Sequence, residues 1–267
     1  MRPIRVYSLL IIGLFIPLGI QGQSIVNTES LYSNDTAKTT LILQPGIDIQ
    51  GGNTNVFELF GIASFIQRFS SKTALKAHAG YDLLKGENKV ILSDHFGQVR
   101  ISQSLHKQID LFGVTQFQTS KNLLLNNRFI YGTGLRFKFF HNDSNDVLLD
   151  YSIGAFQELE NLDANAVGDV SGYHNKLRTN VTRLSTFLVF KYEVTERLSF
   201  VNTVYYQPMV DRFSDFRMLN ELDIGIQINK VLSLNINYVY RYDSSQPDVL
   251  KSVDYFLTSG IVVNFVK

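Results

Sequence analysis

In residues 126–140, NNRFIYGTGLRFKFF, the odd positions Phe129, Tyr131, Leu135, Phe137 and Phe139 are apolar, while the even positions carry Arg128, Arg136 and Lys138. Side chains alternate between the faces of a strand, so the run predicts a strand with one oily and one cationic face. The same period of two returns along the chain. Leu41, Leu43, Ile47 and Ile49 oppose Gln44, Asp48 and Gln50; Leu75, Ala77, Ala79, Tyr81 and Leu83 oppose Lys76, His78, Gly80 and Asp82. Val147, Leu149, Tyr151, Ile153, Ala155 and Leu159 oppose Asp150, Ser152, Gly154 and Glu158. Later, Met218, Leu222, Ile224, Ile226 and Ile228 oppose Leu219, Glu221, Asp223, Gly225 and Gln227. Leu232, Leu234, Ile236, Tyr238, Tyr240 and Tyr242 oppose Ser233, Asn235, Asn237 and Arg241. Finally Tyr255, Leu257, Ile261, Val263 and Phe265 oppose Asp254, Thr258, Gly260 and Asn264. Segments 54–69 and 197–208 alternate less cleanly, and their faces stay unassigned.

Twelve such segments begin near residues 38, 54, 72, 89, 107, 126, 146, 178, 196, 215, 231 and 252. Each runs roughly 11 to 16 residues, against ~5–6 in globular sheets; a strand crossing a bilayer needs ~9–11. The even-numbered connections are short: Ser70-Ser71, Leu105-His106, His141 to Asn145, Val194-Thr195 and Asn229-Lys230. After a tight first turn at Gly51-Gly52-Asn53, the odd-numbered ones are longer: Leu84 to Asn88, Lys121 to Leu125, Asn161 to Leu177, Met209 to Ser214 and Asp243 to Lys251. Short turns on one rim, long loops on the other and an even strand count predict an all-β fold. It is a closed antiparallel up-and-down transmembrane β-barrel of about 12 strands with both termini periplasmic.

A soluble barrel would turn the apolar face inward; a membrane barrel turns it to lipid. Gly132, Gly134, Gly154, Gly225 and Gly260 share the polar face. Glycines there make room in a crowded lumen, whereas on a water-facing surface they only weaken strands. Tyr238, Tyr240 and Tyr242 run along one apolar face toward a loop, as an interfacial girdle does. The lipid-out arrangement implies that Leu135→Arg blocks assembly and that Gly134→Ala does not.

The N-terminus changes the picture of where the chain works. Arg2 and Arg5 precede an apolar run from Val6 to Ile20, interrupted by Pro17 and followed by Gln21-Gly22-Gln23. That run is shorter than the ~20 apolar residues of a spanning helix and has the layout of a secretory leader. The expected organisation is a signal peptide at 1–22, a periplasmic segment at 23–37 and a barrel at 38–267, in the outer membrane of a Gram-negative bacterium. No stretch of 18 apolar residues follows residue 22, which excludes a helical membrane protein.

Charged residues are 18% of the chain, below the roughly 25% usual for soluble domains. A net charge of +1 gives no basic stripe for nucleic acid, and the absence of cysteine removes disulfide and thiolate chemistry. The inward face is expected to carry Asp48, Lys76, His78, Asp82, Arg100, Arg128, Arg136, Lys138, Asp150, Glu158, Arg183, Lys191, Glu221, Asp223, Arg241 and Asp254. Two roles fit a polar, mixed-charge lumen: a paired network that holds the barrel's shape, or a site that binds or passes a small polar solute.

Enzymatic chemistry has little to stand on. His78 and Asp82 share a face, but no serine is tied to either by spacing, so an outer-membrane lipid hydrolase is the weaker alternative and His78 reads as a hydrogen-bonding lumen residue. His95, His106, His141 and His174 are too scattered for a metal cluster. Gly132-Thr133-Gly134 lies in a strand with no helix after it, so no phosphate loop or cofactor is expected. The longest loop, Asn161 to Leu177, is polar and offers a surface-interaction role or a merely unstructured connection.

Several short motifs resemble the domain of unknown function 481 (DUF481) family of Gram-negative outer-membrane proteins, also described as salt-induced outer-membrane proteins. They are Gly51-Gly52-Asn53, Phe117-Gln118, Arg128-Phe129 leading to Gly132-Thr133-Gly134-Leu135-Arg136, Gly154 followed by Glu158 and Glu160, and Asp254 with Gly260. The resemblance covers roughly residues 38–265 and implies location and architecture, with no reaction attached. Outer-membrane proteins often end on an aromatic residue read by the barrel-assembly machinery; here Phe265 lies two residues before the end.

Overall fold

The computed structural model describes residues 38–50, 55–86, 89–141, 147–169 and 175–266; of Asp48, Gln50, His141 and residues 264–266 it describes the backbone alone. The leader, the segment 23–37, the first turn, most of the turn after His141, His174, and the faces of Asp48 and Phe265 therefore lie outside the described residues. Twelve strands form: β1 (Thr39–Gln50), β2 (Val56–Arg68), β3 (Thr73–Gly86), β4 (Lys89–His106), β5 (Ile109–Ser120), β6 (Leu125–His141), β7 (Val147–Leu162), β8 (Arg178–Thr195), β9 (Leu198–Met209), β10 (Arg212–Gln227), β11 (Leu232–Asp243) and β12 (Val253–Val266). Each pairs antiparallel with its neighbours in sequence, and β1 closes on β12 from Thr40↔Val266 to Leu43↔Val263. Closure gives every strand a neighbour on both sides, which an apolar solvent requires of a spanning sheet.

The alternation read from sequence sets which face is which. On β6, Phe129, Tyr131 and Phe139 are exposed on the exterior, while Arg128, Gly134 and Arg136 are buried. The two unassigned strands resolve. On β2, Ser64 and Ile66 point inward and Leu59 and Phe65 outward; the pattern is blurred because Phe60 and Ile62 also line the interior. On β9, Val201, Thr203, Tyr205 and Gln207 point inward, and Asn202 sits on the outer face, where its side chain donates to the Glu221 carbonyl and accepts from Asn220.

Aromatics form two bands on the exterior. Tyr206, Phe216 and Tyr242 follow one another ring against ring toward the long-loop end, with centroids 5.5 and 5.4 Å apart. Phe137, Phe139 and Tyr151 do so toward the short-turn end, at 6.4 and 6.3 Å. Such girdles mark the two interfaces of a bilayer. A register shift between Lys138 and Phe140 turns Phe140 outward beside Phe139, although parity alone places it inside.

The long-loop rim differs from expectation in two places. Met209 to Ser214 is not a loop: β9 ends at Met209, β10 starts at Arg212, and the strands are joined across a register shift between Arg212 and Phe216. The Asn161 to Leu177 segment, in its described part, is not unstructured. β7 continues to Leu162, and a one-turn helix, α1 (Ala164–Val167), is capped by Asp163, whose carboxylate accepts from the Asn165 amide at 2.9 Å. Val167 and Leu162 pack on Leu123 and Leu125, and Asn175 binds the Asp169 carbonyl and Asp248.

Glycine placement has a more exacting cause than lumen crowding. Gly134 lies opposite Gly154 where β6 and β7 pair. A Cβ on Gly134 would stand 2.6 Å from the Ile153 carbonyl oxygen and 2.9 Å from the Gly154 Cα. Both are backbone atoms, so the expectation that Gly134→Ala is tolerated is overturned. Around Gly260 nothing lies within 4 Å of such a carbon. Gly134→Ala is expected to destabilise the barrel by about 1–3 kcal/mol, as overpacking does, and Gly260→Ala to be neutral. Heat-modifiable gel mobility of the two variants separates them.

Candidate functional site

The interior is organised by charge along the barrel axis. Toward the long-loop end, Glu158 and Glu160 project from β7, Arg128 from β6, Arg183 from β8, Asp215 and Arg217 from β10, and Asp243 from β11. All are buried. Arg128 donates to Glu160 at 2.9 Å through Nε and 2.6 Å through Nη2, and its Nε lies 3.6 Å from Glu158. Arg183 reaches Glu158 at 3.1 Å and Asp215 at 2.9 Å. Arg217 donates to Glu158, to Glu160 at 3.2 Å and to Asp243 at 2.8 Å. Glu158 thus touches three guanidiniums. The Arg217 contacts with Glu158 and Glu160 pass through the interior, because β10 and β7 are three strands apart.

Below this network runs an apolar belt. Phe112, Phe187, Val189, Val201, Tyr205, Leu219 and Val239 are buried together, with Phe256 against them. At this level the polar, mixed-charge lumen expected from sequence gives way to apolar side chains. Guanidiniums rest on the belt: Arg100 lies over Phe112 at 5.1 Å and Phe187 at 5.7 Å, Arg136 over Phe187 at 5.6 Å, and Arg241 over Phe256 at 5.1 Å.

Most of the remaining charges sit in two groups. Toward the short-turn end, Lys138 pairs with Asp110 at 2.8 Å, Arg136 lies 4.0 Å from Asp150, and Lys76 and Arg100 line the same cavity as Arg136 and Lys138. Between β2–β5 and β10–β12, Asp82, Glu221, Arg241 and Asp254 line a cavity of about 260 Å³ with Asp94. Asp223 accepts from Asn235 at 3.1 Å and Asn237 at 2.8 Å beside a smaller cavity of about 120 Å³, and Glu221 accepts from Asn237 at 2.7 Å. Lys191 pairs with Glu193 at 2.6 Å, apart from both groups.

His78 is buried and bonded to Ser64 at 2.9 Å. Spacing could not reveal that serine, because it comes from the neighbouring strand in direct register. Ser64 is 0% exposed and His78 4%, which leaves the pair no access for a lipid ester. Among the described residues no group of three His, Asp or Glu side chains is placed to hold a metal.

Among the inward charges that sequence reasoning missed are Asp110, Glu160, Asp215, Arg217 and Asp243. Parity alone finds four of them: Glu160 continues the Glu158 face, Asp215 and Arg217 continue the Leu219 and Glu221 face, and Asp243 follows Arg241. Asp243 falls in the stretch expected to be a loop, and Asp215 and Arg217 precede Met218, where the alternation of that strand becomes clean.

A closed barrel of even strand number, apolar outside and charged inside, defines a membrane-spanning β-barrel. Residues 44–265 match the family described as "Protein of unknown function, DUF481", and the chain belongs to that family. No curated protein matches it. Similar solved structures include the translocator domain of the autotransporter NalP from Neisseria meningitidis, at 11% identity, TM-score 0.48, over 90% of this chain and 91% of that one. The NanC porin aligns at 11% identity and TM-score 0.47, over 85% and 99%. A KdgM porin aligns at 7% identity and TM-score 0.44, over 86% and 99%.

Proposed function

We propose that the protein resides in the outer membrane of a Gram-negative bacterium, exported by its leader, inserted by the barrel-assembly machinery, and held shut by the Glu158 network. On this reading it is not an open general channel. It keeps one side of its interior filled with paired charges and offers small polar solutes the cavities of the other side. The observation that carries the reading is the bridge from Arg217 on β10 to Glu158 and Glu160 on β7, which reaches through the interior between strands three apart in the ring of twelve. Buried pairs of this kind are weak sources of net stability but costly to break, which suits a fastener more than a passage.

Planar-bilayer recording tests the reading. Wild-type protein is expected to show little or no unit conductance, and Arg217→Ala a clear increase. A wild-type conductance as large as that of the variant overturns it. The surface-interaction alternative is less well supported, because the described part of the longest loop is tied down on the rim through Val167 and Asn175. The hydrolase alternative is weakened by the burial of Ser64 and His78.

A further inference from the structure

The two ends of the interior are balanced differently. In the long-loop network three arginines meet four carboxylates: Arg128, Arg183 and Arg217 against Glu158, Glu160, Asp215 and Asp243. At the short-turn end a cavity of about 160 Å³ is lined by Arg68, Lys72, Lys76, Arg100, Arg136 and Lys138, and its lining holds one carboxylate, Asp110. Counting Asp150 beside Arg136 as well, the described residues give six cations less two anions, an excess of four positive charges around one cavity. Cations kept for structural pairing call for carboxylates in similar number, as at the other end. Like charges gathered around a cavity instead raise the potential inside it and concentrate counter-ions there.

The cations converge from separate parts of the chain. Arg68 ends β2, Lys72 lies in the following turn, Lys76 is on β3, Arg100 on β4, and Arg136 and Lys138 on β6. Several of them have partners within the protein, Asp110 for Lys138 and Asp150 for Arg136 among them. Two guanidiniums are held in place by ring faces, Arg100 by Phe112 and Phe187 and Arg136 by Phe187. A planar fork fixed in this way is suited to carboxylate and phosphate oxygens. The cavity is many times the ~10–15 Å³ that admits one water, so it has room for a small molecule.

We propose that this cavity is a binding site for an oxyanion: a small solute bearing carboxylate or phosphate groups, entering from the short-turn side. The same chemistry could be presented by a free solute or by the phosphate of an anionic lipid headgroup, and the test separates them. The site goes beyond the closed-barrel reading and does not need the barrel to conduct.

The experiment is calorimetric titration of the full-length protein in zwitterionic detergent, with inorganic phosphate and succinate as probes. Parallel titrations use nanodiscs of phosphatidylcholine with and without phosphatidylglycerol. The variants are Lys72→Gln with Lys76→Gln, and Lys138→Gln, with Lys85→Gln as a control on the exterior; heat-modifiable mobility verifies that each folds. Both probes are expected to bind, with affinity weakened about tenfold or more in the cavity variants and unchanged in the control. Phosphatidylglycerol that lowers phosphate binding only when Lys72 and Lys76 are intact supports the site and makes the lipid headgroup a source of the oxyanion. Absence of binding by either probe, or equal binding by wild type and the folded cavity variants, overturns the proposal.

Discussion

Glu158→Gln is expected to lower the stability of the barrel by about 3–5 kcal/mol, the cost of removing one partner from a buried ionic cluster. Glu158 is 1% exposed and lies against Arg128, Arg183 and Arg217 together. Neutralising it leaves three guanidiniums facing one another with their remaining carboxylates on the periphery. The loss is read as a fall in the temperature at which the protein unfolds on a heat-modifiable gel. Lys191→Gln provides the contrast: its partner Glu193 is one-third exposed, and such pairs are worth ~0–1 kcal/mol. Equal melting of Glu158→Gln and Lys191→Gln would show that the network does not hold the barrel.

Leu135→Arg is expected to prevent assembly. Leu135 faces outward on β6, opposite Leu111 on β5 and Ile153 on β7, whose side chains also lie on the exterior. An arginine in that apolar row near the bilayer midplane costs ~2–4 kcal/mol. The same residue one position along, at Arg136, is accommodated because it faces inward over Phe187. A Leu135→Arg variant that assembles at wild-type yield and keeps its heat-modifiable shift would reverse the inside and outside assigned here.

Most of the barrel was legible because alternation is a geometric property of strands and nearly every strand obeys it. The predicted starts fall within about three residues of the observed ones, the largest shift being at β10 (predicted 215, observed Arg212). The failures have physical causes. Alternation separates polar from apolar, not inside from outside, so an apolar residue inside a barrel is invisible to it. Phe60, Ile62 and Ile66 hid the faces of β2; Val201 and Tyr205 inside, with Asn202 outside, hid those of β9. The apolar belt escaped notice for the same reason. Which charges would meet was not legible either, since Arg217 and Glu158 belong to strands that touch only through the interior. The need for Gly134 depends on the closeness of β6 and β7 at one register position, which a pattern along a single strand does not contain.

The span of the Glu158 cluster also orders events in time. Arg128 meets Glu160 as soon as β6 and β7 pair, since the two are direct register partners. Arg217 lies 59 residues beyond Glu158, and Asp243 later still, so a chain that joins strand after strand holds an unfinished cluster until β10 and β11 arrive. Contacts of that separation repay their ordering cost late. A sheet lacking its last strands carries unmatched charge at its centre, and completion of the cluster rewards only the full-length, closed barrel.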